Sequence, residues 1–354
     1  MPKLKARHWW MLAIAWFTII TVEWSVYLIE RSKKAEQHQR VAAWKKTADS
    51  LRYQPKAASI KIADAKRLMS HVGALAYPRF TAASRKRARG YISHQLIGCG
   101  YQPTQSAFAG GVNIQVEKTG RGTNPKVFIV GAHYDSVQGS PGADDNASGV
   151  AGVIELACLL ARSTPQATLR FVFFDGEEQG LLGSRAYVSH PRNRKHVAGV
   201  YILEMIGTRC SVEACQDWPS NVPTWLRRKD GLFVAAVGNM ENLELIQALT
   251  RSAGEEHPYV HGIPIPQSGR DFPDARRSDH APFWDVGIGA VMVTDTANFR
   301  NKQYHLPGDK ADTIDAQFMS GVVDIVHGAL VQLTSKIKPS PNQTKPPQYS
   351  PPSE

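Results

Sequence analysis

Several short runs of the chain are apolar at almost every position. They are Val127 to Ala132, Leu169 to Phe174, Val200 to Leu203, Leu232 to Val237 and Ala290 to Thr294. Strands of a parallel sheet are buried on both faces, so they read as continuous hydrophobic runs and not as an alternation of apolar and polar positions. The pattern predicts buried parallel strands at these places.

Helical spacing of apolar residues lies between the predicted strands. One such pattern runs from Ala147 to Arg162 after a capping Asn146, and another runs from Asn242 to Ala253 and closes at Gly254. A small polar residue before a helix and a glycine after it are typical boundaries. Because strands and helices alternate, the sequence predicts an α/β fold, a three-layer sandwich with a mostly parallel central sheet.

Residues 60–100 also show helical spacing, around a basic stretch made of Arg85, Lys86, Arg87 and Arg89. We interpret this stretch as a solvated helix face and not as a nucleic-acid patch. The formal net charge is +11, but the first 46 residues hold nine Lys and Arg against three Glu and carry +6 of it. The remainder is only mildly basic, so the sequence predicts no nucleic-acid partner.

The N-terminal part contains a longer apolar run, the 21 residues from Trp9 to Ile29. About 20 apolar residues are needed for a helix to cross a bilayer. The run is long for a secretory signal peptide and no small-residue cleavage site follows it, so we predict an uncleaved transmembrane anchor. Glu23 lies inside the run but toward one end. Basic residues flank both sides, so charge alone does not fix the orientation.

Composition divides the chain into four predicted segments. We expect a cytoplasmic stub and anchor over residues 1–34, a linker over 35–59, a folded domain over 60–337 and a disordered Pro-rich tail over 338–354. Hydrophobic residues make up 42% and charged residues 21% of the chain, a globular balance that excludes a fibre or a polytopic membrane protein.

Four cysteines are too few to hold a fold of 354 residues together, so a disulfide scaffold is excluded. Cys210 and Cys215 are close enough to pair in an oxidising compartment, although the spacing alone does not decide it. Cys158 lies in an apolar helical pattern, and we predict that it is a core residue. The oligomeric state stays open.

Acidic residues and histidines gather after the predicted strands. They are His133 and Asp135 after the first run, Asp144 and Asp145 before the next helix, Glu177 and Glu178 after the second run, Glu204 after the third, and His305 far downstream. Sites in open α/β sheets form beyond the carboxyl ends of the strands. Carboxylates and imidazoles that meet there demand cations, and a pair of divalent ions is the simplest remedy. His nitrogen with carboxylate oxygen suits zinc.

These motifs together resemble the M28 zinc exopeptidases, whose members include bacterial aminopeptidases and glutamate carboxypeptidases. The motifs are His133-Tyr134-Asp135-Ser136, Asp144-Asp145-Asn146-Ala147-Ser148-Gly149, Asp175-Gly176-Glu177-Glu178, Ser278-Asp279-His280 and Tyr304-His305, in family order. The resemblance runs from about Leu68 to about Leu333. It implies an exopeptidase, most simply an aminopeptidase, that acts on a peptide substrate with two Zn²⁺ per chain.

The resemblance also implies a ligand set by position. His133 and Glu204 would bind one zinc ion, Glu178 and His305 would bind the other, and Asp144 would bridge both. The neighbour of Glu178, Glu177, would be the general base. Many members have Asp where this chain has Glu204, and the longer side chain can still reach a metal.

Further residues take supporting roles in the same resemblance. Asp135 falls where the family has a carboxylate that orients the first histidine, and Asp145 follows the bridging position, where a cis peptide is frequent. Tyr304 falls where carboxypeptidases of the family stabilise the oxyanion, although it can equally be an ordinary packed tyrosine. Asp279 and His280 either line the site or belong to the start of a helix.

Two rival functions share this fold. Glutaminyl cyclases look like the family but use one zinc held by an Asp, a Glu and a His, and receptor-like relatives keep the fold for binding alone. The intact stretch from Asp144 to Gly149, together with His133 and Glu204, favours the two-metal peptidase over the cyclase. All five candidate ligands and the candidate base are present, which argues against a domain that only binds. Arg270, Arg276 and Arg277 either attract an acidic substrate or lie in a solvated loop. Family habit and the cysteine pair favour a domain on the periplasmic side of the inner membrane.

Overall fold

The structure is a computed structural model that describes residues 6–51, 61–123 and 125–335, with the side chains of residues 6–9 and 11–25 outside the description. Contacts divide the chain into two units, residues 1–50 and residues 51–354. Helix α1 (Ala6–Ser50) runs through the first part of the predicted linker 35–59, and the linker stays a prediction. Residues 52–60 and the predicted tail 338–354 lie outside the described residues.

The predicted anchor lies on α1. Its side chains up to residue 25 lie outside the described set, apart from Trp10, which is 73% exposed. Val26, Leu28 and Ile29 are between 50% and 54% exposed. Large apolar side chains at this exposure suit a lipid environment better than water. The anchor stays a prediction.

The second unit contains the remaining helices and all the described strands. The helices are α2 (Ala65–Leu75), α3 (Ala82–Gly98), α4 (Gly149–Leu160), α5 (Leu182–Ser189), α6 (Pro191–Arg194), α7 (Leu243–Ser252), α8 (Ala281–Asp285) and α9 (Ala316–Thr334). The strands are β1 (Thr104–Phe108), β2 (Gly111–Lys118), β3 (Val127–His133), β4 (Thr168–Phe174), β5 (Val197–Glu204), β6 (Phe233–Asn239), β7 (Tyr259–Ile265) and β8 (Ala290–Thr294).

The strands form one sheet in the order β1-β2-β4-β3-β5-β8-β6-β7. The pairs β3–β4, β3–β5, β5–β8 and β6–β7 are parallel, whereas β1–β2, β2–β4 and β6–β8 are antiparallel. In the parallel centre, His133 pairs with Phe174 and Glu204 pairs with Thr294, so β3 and β4 end level with each other, as do β5 and β8. The predicted α/β class with a mostly parallel sheet is confirmed.

Helices cover both faces of this sheet. Phe173 of β4 belongs to the same buried cluster as Ile154 of α4. The next residue, Phe174, makes edge-on ring contacts with Tyr187 of α5 and Phe283 of α8, with centroids 5.6 and 6.4 Å apart. Because successive side chains of a strand point to opposite faces, these contacts confirm the predicted three layers.

Helix α9 is long and apolar enough to cross a membrane, by length and composition alone, and in the described part of the chain it is the helix that meets this criterion. In the structure, 61% of the apolar stretch of this helix is buried. Its side chains Met319, Val322 and Val326 belong to the buried core cluster. We therefore regard α9 as a core helix.

Disulfides join all four cysteines. Cys210 pairs with Cys215, with their Cα atoms 6.3 Å apart. Cys99, which directly follows α3, pairs with Cys158 of α4 at a Cα separation of 5.2 Å. Cys158 packs against the core as predicted, and its disulfide, which the sequence did not indicate, links α4 to the end of α3. Disulfides persist in oxidising compartments.

Candidate metal centre

The parallel strands of the sheet place the acidic and imidazole side chains at one edge. His133 is the last residue of β3, and Glu204 is the last residue of β5, its parallel neighbour. The turn after β4 supplies Glu177 and Glu178. β3 is buried along its length and β5 over residues 199–204, and neither strand carries a charged or imidazole side chain before its last residue. The chain therefore delivers such side chains where each strand ends.

Asp145 lies between the two histidines. Its Oδ1 is 3.3 Å from Nε2 of His133, and its Oδ2 is 3.2 Å from Nε2 of His305. Nε2 of His133 is also 3.4 Å from Oε2 of Glu204, and Nε2 of His305 is 3.0 Å from Oε2 of Glu178. One carboxylate thus faces two imidazole–carboxylate pairs, one on each side.

The prediction that Asp144 holds this shared position is wrong by one residue. Asp144 is fully buried, and its carboxylate accepts hydrogen bonds from the backbone N–H of Gly207 at 2.9 Å, from Thr208 Oγ1 at 2.5 Å and from Asn301 Nδ2 at 2.9 Å. These bonds occupy it in a structural role. A cis peptide joins Asp145 to Asn146, so the cis bond also lies one residue later than expected.

The side chains at this edge fit a metal. His133 is 1% exposed, yet neither of its ring nitrogens makes a hydrogen bond to a described residue, and the same holds for Nε2 of His305 and Oε1 of Glu178. Buried polar atoms are nearly always hydrogen-bonded, so atoms without such a partner at one place point to a ligand. Imidazole nitrogens with carboxylate oxygens are the set that zinc takes in hydrolytic sites.

Glu177 and Glu178 face different parts of the centre. Ligand atoms of His133, Glu177 and Glu204 lie within 4.8 Å of one another, and so do those of His133, Asp145 and Glu178. Asp135 holds the turn that carries both glutamates. Its two oxygens accept hydrogen bonds from the backbone N–H groups of Glu177 at 3.1 Å and Glu178 at 3.2 Å.

Asp135 also approaches the first histidine. Its Oδ1 is 3.4 Å from Nδ1 of His133. Carboxylates at this place fix the tautomer and the orientation of a ligating imidazole. The structure therefore brings Asp135 to the position where the family resemblance expects an orienting carboxylate.

Mutual electrostatics perturb the pKa values of the cluster. Burial alone would lower the pKa of His133, but the nearby carboxylates of Glu204 and Glu177 outweigh it and raise the pKa well above its usual value. Burial likewise opposes the shift at His305, where Asp145 and Glu178 raise the pKa to about 9. Burial, with Asp145 adding to it, raises the pKa of Glu178 to about 7. The cluster thus holds excess negative charge that cations would neutralise.

The basic stretch of α3 is not simply a solvated face. Arg85 is 8% exposed, and its Nε is 2.9 Å from Oδ1 of Asp175, the residue that follows β4. Nη1 of Arg89 is 3.5 Å from the other oxygen of Asp175. The interpretation of these two arginines as solvated is therefore wrong, because they pair with the carboxylate at the start of the Glu177 turn.

Tyr304, Asp279 and His280 differ in the contacts that they make. The Tyr304 ring stacks on His305 with centroids 3.7 Å apart, and its hydroxyl accepts a hydrogen bond from Arg277 at 3.0 Å. Asp279 is fully buried, and burial raises its pKa to about 7. His280 is turned away to a carbonyl, 2.7 Å from Ala275 O, and burial lowers its pKa to about 4.

Sequence reasoning missed the orienting role of Ser278. Its hydroxyl donates a 2.6 Å hydrogen bond to Oε2 of Glu204, the same oxygen that lies near His133. The motif Ser278-Asp279-His280 signalled that these residues belong near the site, but a sequence does not show which member reaches it.

An apolar pocket opens beside the centre. Its wall joins the metal-side residues Glu204 and Tyr304 to side chains from several loops and strand ends. The large apolar members are Trp218, Val237, Ile263, Ile265, Phe272, Met292 and Phe299. Arg277 is the one cationic side chain among the described residues that line it, and it is engaged by Asn298 at 2.9 Å and Tyr304.

Comparison with known proteins identifies the family. The profile described as peptidase family M28 matches residues 113–330, more than half of the chain. The chain belongs to this family. All of the residues described at the centre, from His133 to His305, fall within the matched range.

The relatives of this chain include bacterial proteins. The chain is 38% identical to the uncharacterized protein YfbL of Escherichia coli strain K12 over 217 residues, which cover 56% of this chain and 64% of YfbL. It is 29% identical to the aminopeptidase YwaD of Bacillus subtilis strain 168 over 236 residues, which cover 64% of this chain and 45% of YwaD. The chain thus spans less than two thirds of the length of these relatives.

Solved structures resemble the fold at low sequence identity. The LapA aminopeptidase of Legionella pneumophila superposes with a TM-score of 0.62 at 17% identity, covering 80% of this chain and 79% of LapA. A glutaminyl cyclase of Porphyromonas gingivalis superposes with a TM-score of 0.54 at 18% identity, covering 77% of this chain and 99% of the cyclase. Peptidases and cyclases therefore share the fold, and the site has to separate the two reactions.

Proposed function

We propose that residues 60–337 form a zinc-dependent aminopeptidase domain that holds two zinc ions. The observation that carries the proposal is the position of Asp145, whose two oxygens face His133 and His305 at 3.3 and 3.2 Å. Each of these histidines also lies beside a carboxylate of its own, Glu204 for His133 and Glu178 for His305, so the donors fall into two sets that suit two ions. Membership of peptidase family M28 supports hydrolysis of a peptide bond.

The ligand assignment follows the two sides of Asp145. His133 and Glu204 would hold one ion, Glu178 and His305 would hold the other, and Asp145 would be shared by both. Ser278 orients Glu204 through its 2.6 Å hydrogen bond, and Asp135 orients His133. Such supporting contacts fix ligand geometry and strengthen metal binding.

Glu177 is the general base of this proposal. When bound, zinc polarises a carbonyl group and lowers the pKa of a water molecule that it holds. Glu177 lies beside His133 and Glu204, is 9% exposed and takes no ligand position in the assignment. Its carboxylate accepts a proton from the attacking water and returns it to the nitrogen of the leaving amine as the peptide bond breaks. The turn on Asp135 holds it in place.

The apolar pocket receives the side chain of the terminal residue. The pocket shares Glu204 and Tyr304 with the centre, so a residue whose scissile carbonyl reaches the centre would place its side chain among Trp218, Ile265 and Phe272. Burial of a large apolar side chain there is favourable by about 1.5–3 kcal/mol. We expect a preference for substrates with large apolar residues at the amino end.

The surroundings of the centre favour the amino end of the substrate. A free α-amino group is a cation, and the carboxylates of Glu177, Glu204 and Asp279 surround the buried side of the centre. A terminal carboxylate would instead need a free cation. Arg277, the cation at the pocket, is occupied by Tyr304 and Asn298.

The N-terminal helix anchors the enzyme in this proposal, with the domain on the extracytoplasmic side. Exposed Val26, Leu28 and Ile29 and the two disulfides support it. The enzyme should sediment with membranes, and protease added to spheroplasts should digest the domain. If the domain is digested only after the membrane is lysed, it lies in the cytoplasm.

A peptide panel tests the activity. Purified protein is assayed for zinc and then given one peptide with free ends, one with a blocked amino end and one with a blocked carboxyl end. We expect close to two zinc ions per chain, loss of activity in chelators and cleavage of every peptide except the one with a blocked amino end. One tightly bound ion together with pyroglutamate formation from an amino-terminal glutamine would select the cyclase reaction instead.

A further inference from the structure

The loop from Pro141 to Asp145 is held by a buried arginine on its carbonyl side. Arg79 is fully buried, and its guanidinium donates hydrogen bonds to the carbonyl oxygens of Pro141 and Gly142, both at 2.8 Å. The carbonyl of Asp145 lies 3.5 Å from the same guanidinium. Arginine is almost never fully buried unless its side chain is paired, because its five N–H donors need acceptors away from water.

Arg79 also reaches the turn that carries His133. Its Nε donates to Tyr134 O at 2.8 Å, and its backbone N–H donates to Ser136 Oγ at 2.9 Å. The same side chain therefore joins the His133 turn to the Asp145 loop. Its other hydrogen bonds go to the carbonyls of Leu75 and Tyr77, at the end of α2 and directly after it.

Gly142 is required for this approach. Its φ is +60°, and a Cβ built on it would lie 2.8 Å from Nη2 of Arg79 and 2.2 Å from Asp145 O. A side chain at position 142 would displace the arginine or the loop. The glycine thus lets the backbone approach the guanidinium closely.

Asp309 holds the same loop on its amide side. It is fully buried, its Oδ1 accepts a hydrogen bond from the backbone N–H of Asp144 at 2.8 Å, and its Oδ2 accepts one from the backbone N–H of Asp145 at 3.0 Å. The backbone carbonyl of Asp309 accepts a third from Ala143 at 3.2 Å. Asp309 follows His305 by four residues, so this contact joins the loop to the second histidine segment.

We propose that Arg79 and Asp309 form a clamp that positions Asp145 between His133 and His305 and so sets the geometry of both metal positions. Arg79 fixes the carbonyl groups and Asp309 fixes the N–H groups of one loop, and each is tied to the segment of one histidine. Both are positioning residues, since their contacts are with backbone groups. The clamp rests on the proposed function in one respect, namely that Asp145 is the shared ligand.

Conservative variants test the clamp. Arg79→Lys keeps the charge but loses the forked donors, and Asp309→Asn keeps the size but turns an acceptor into a donor against a backbone N–H. Each variant is stripped of metal, and its zinc affinity is measured by competition with a chelating dye. We expect at least about tenfold weaker zinc binding in each, as loss of supporting contacts around a metal typically gives, and an altered visible absorption spectrum after loading with Co²⁺.

Arg170→Lys is the matched control. Arg170 lies in the N-terminal half of β4, is also buried, at 9% exposure, and donates hydrogen bonds to the hydroxyl of Tyr187 and the carbonyl of Asn193. The substitution Arg170→Lys should lower the melting temperature without changing zinc affinity or the Co²⁺ spectrum. Wild-type affinity and spectrum in both clamp variants, or equal changes in Arg170→Lys, would overturn the clamp.

Amide exchange of the metal-free wild type provides a readout that does not depend on how the variants fold. The clamp predicts slow hydrogen exchange at the N–H groups of Asp144 and Asp145 without metal, comparable with β4, whereas fast exchange there would overturn it. Failure of the proposed function can be told apart from failure of the clamp, because in that case the wild-type protein itself would bind no zinc.

Discussion

The metal centre and the apolar pocket are neighbours that the chain builds in different ways. The candidate centre takes its proposed ligands from strand ends and from turns and loops beyond them. Buried hydrogen bonds hold these segments, such as the one that Asp135 accepts from the Glu177 turn. The pocket is assembled from strands and loops between Asp217 and Tyr304 together with Glu204, and large apolar side chains form much of its wall. Both share Glu204 and Tyr304.

The difference separates reaction from selectivity. Strand ends in a parallel sheet are fixed by the register of their neighbours, so ligands placed there keep their spacing when surface loops change. Part of the pocket wall, including Trp218 and Phe272, comes from loops. Because loops tolerate substitution, this part of the pocket can change size without moving the centre. We therefore expect substitutions in the centre to act on metal content and turnover, and substitutions in the pocket to act on substrate choice.

The largest effect should come from Asp145→Asn. It removes the carboxylate that faces both imidazoles, so zinc should fall below two ions per chain and turnover should drop by more than about 1000-fold, because both the ions and their water are disturbed. Metal analysis and peptide hydrolysis measure this.

Asp144→Asn is the matched neighbour. Its amide would oppose the N–H donor of Asn301, so we expect a loss of about 1–3 kcal/mol of stability, measured by urea unfolding, with zinc retained. Zinc loss in this variant and retention in Asp145→Asn would return the shared position to Asp144.

The next effect distinguishes the adjacent glutamates. Glu177→Gln keeps size but cannot accept a proton, so turnover should fall by about 100-fold or more with zinc content scarcely changed. Glu178→Ala removes a ligand, so one ion should bind much more weakly, and activity should return only in part at high zinc. Exchanged outcomes in the metal assay would mean that the two roles are exchanged.

A smaller effect is expected in the pocket. Trp218→Ala removes a large part of one wall, so kcat/KM for peptides that begin with leucine or phenylalanine should fall by about 10-fold, while peptides that begin with alanine change much less. Trp218→Phe keeps a ring against Phe233, so its kcat/KM for these peptides should lie between the values of the wild type and of Trp218→Ala. A uniform loss for all peptides would show that Trp218 supports the centre and not the pocket.

The smallest effect concerns pH and His261 behind the pocket. Burial lowers the pKa of His261 to about 4, and Arg228 lowers it too, against the opposing effects of the Leu226 carbonyl and Asp230. Between pH 6.5 and 4 the unfolded chain binds a proton that the folded chain does not, so stability is lost as the pH falls through this window. His261→Gln should reduce that loss in melting experiments, and an unchanged pH dependence in this variant would contradict the assignment to His261.

The alternation of strands and helices and the chemistry of the centre could be predicted because the signals for both lie in short, continuous stretches of the sequence. Continuous apolar runs identified the strands β3, β4, β5, β6 and β8, and the polar residues directly after them identified the centre. β1 is mostly exposed and β7 is interrupted by His261 and Pro264, so neither shows that pattern.

The remainder depended on three-dimensional contacts. Asp144 and Asp145 are chemically identical neighbours, and only the path of the backbone decides which one turns toward His133. Arg85 belongs to a run of charges, and only the fold pairs it with Asp175. Cys99 and Cys158 are 59 residues apart, and a spacing of that length does not reveal a disulfide.

The central claim is that two zinc ions share the carboxylate of Asp145. Anomalous diffraction from crystals of the zinc-loaded protein, collected on both sides of the zinc absorption edge, tests it most directly. The account predicts two peaks per chain, one beside His133 and Glu204 and the other beside His305 and Glu178, with Asp145 bound to both. A single peak, or a second ion bound through Asp144, would contradict it.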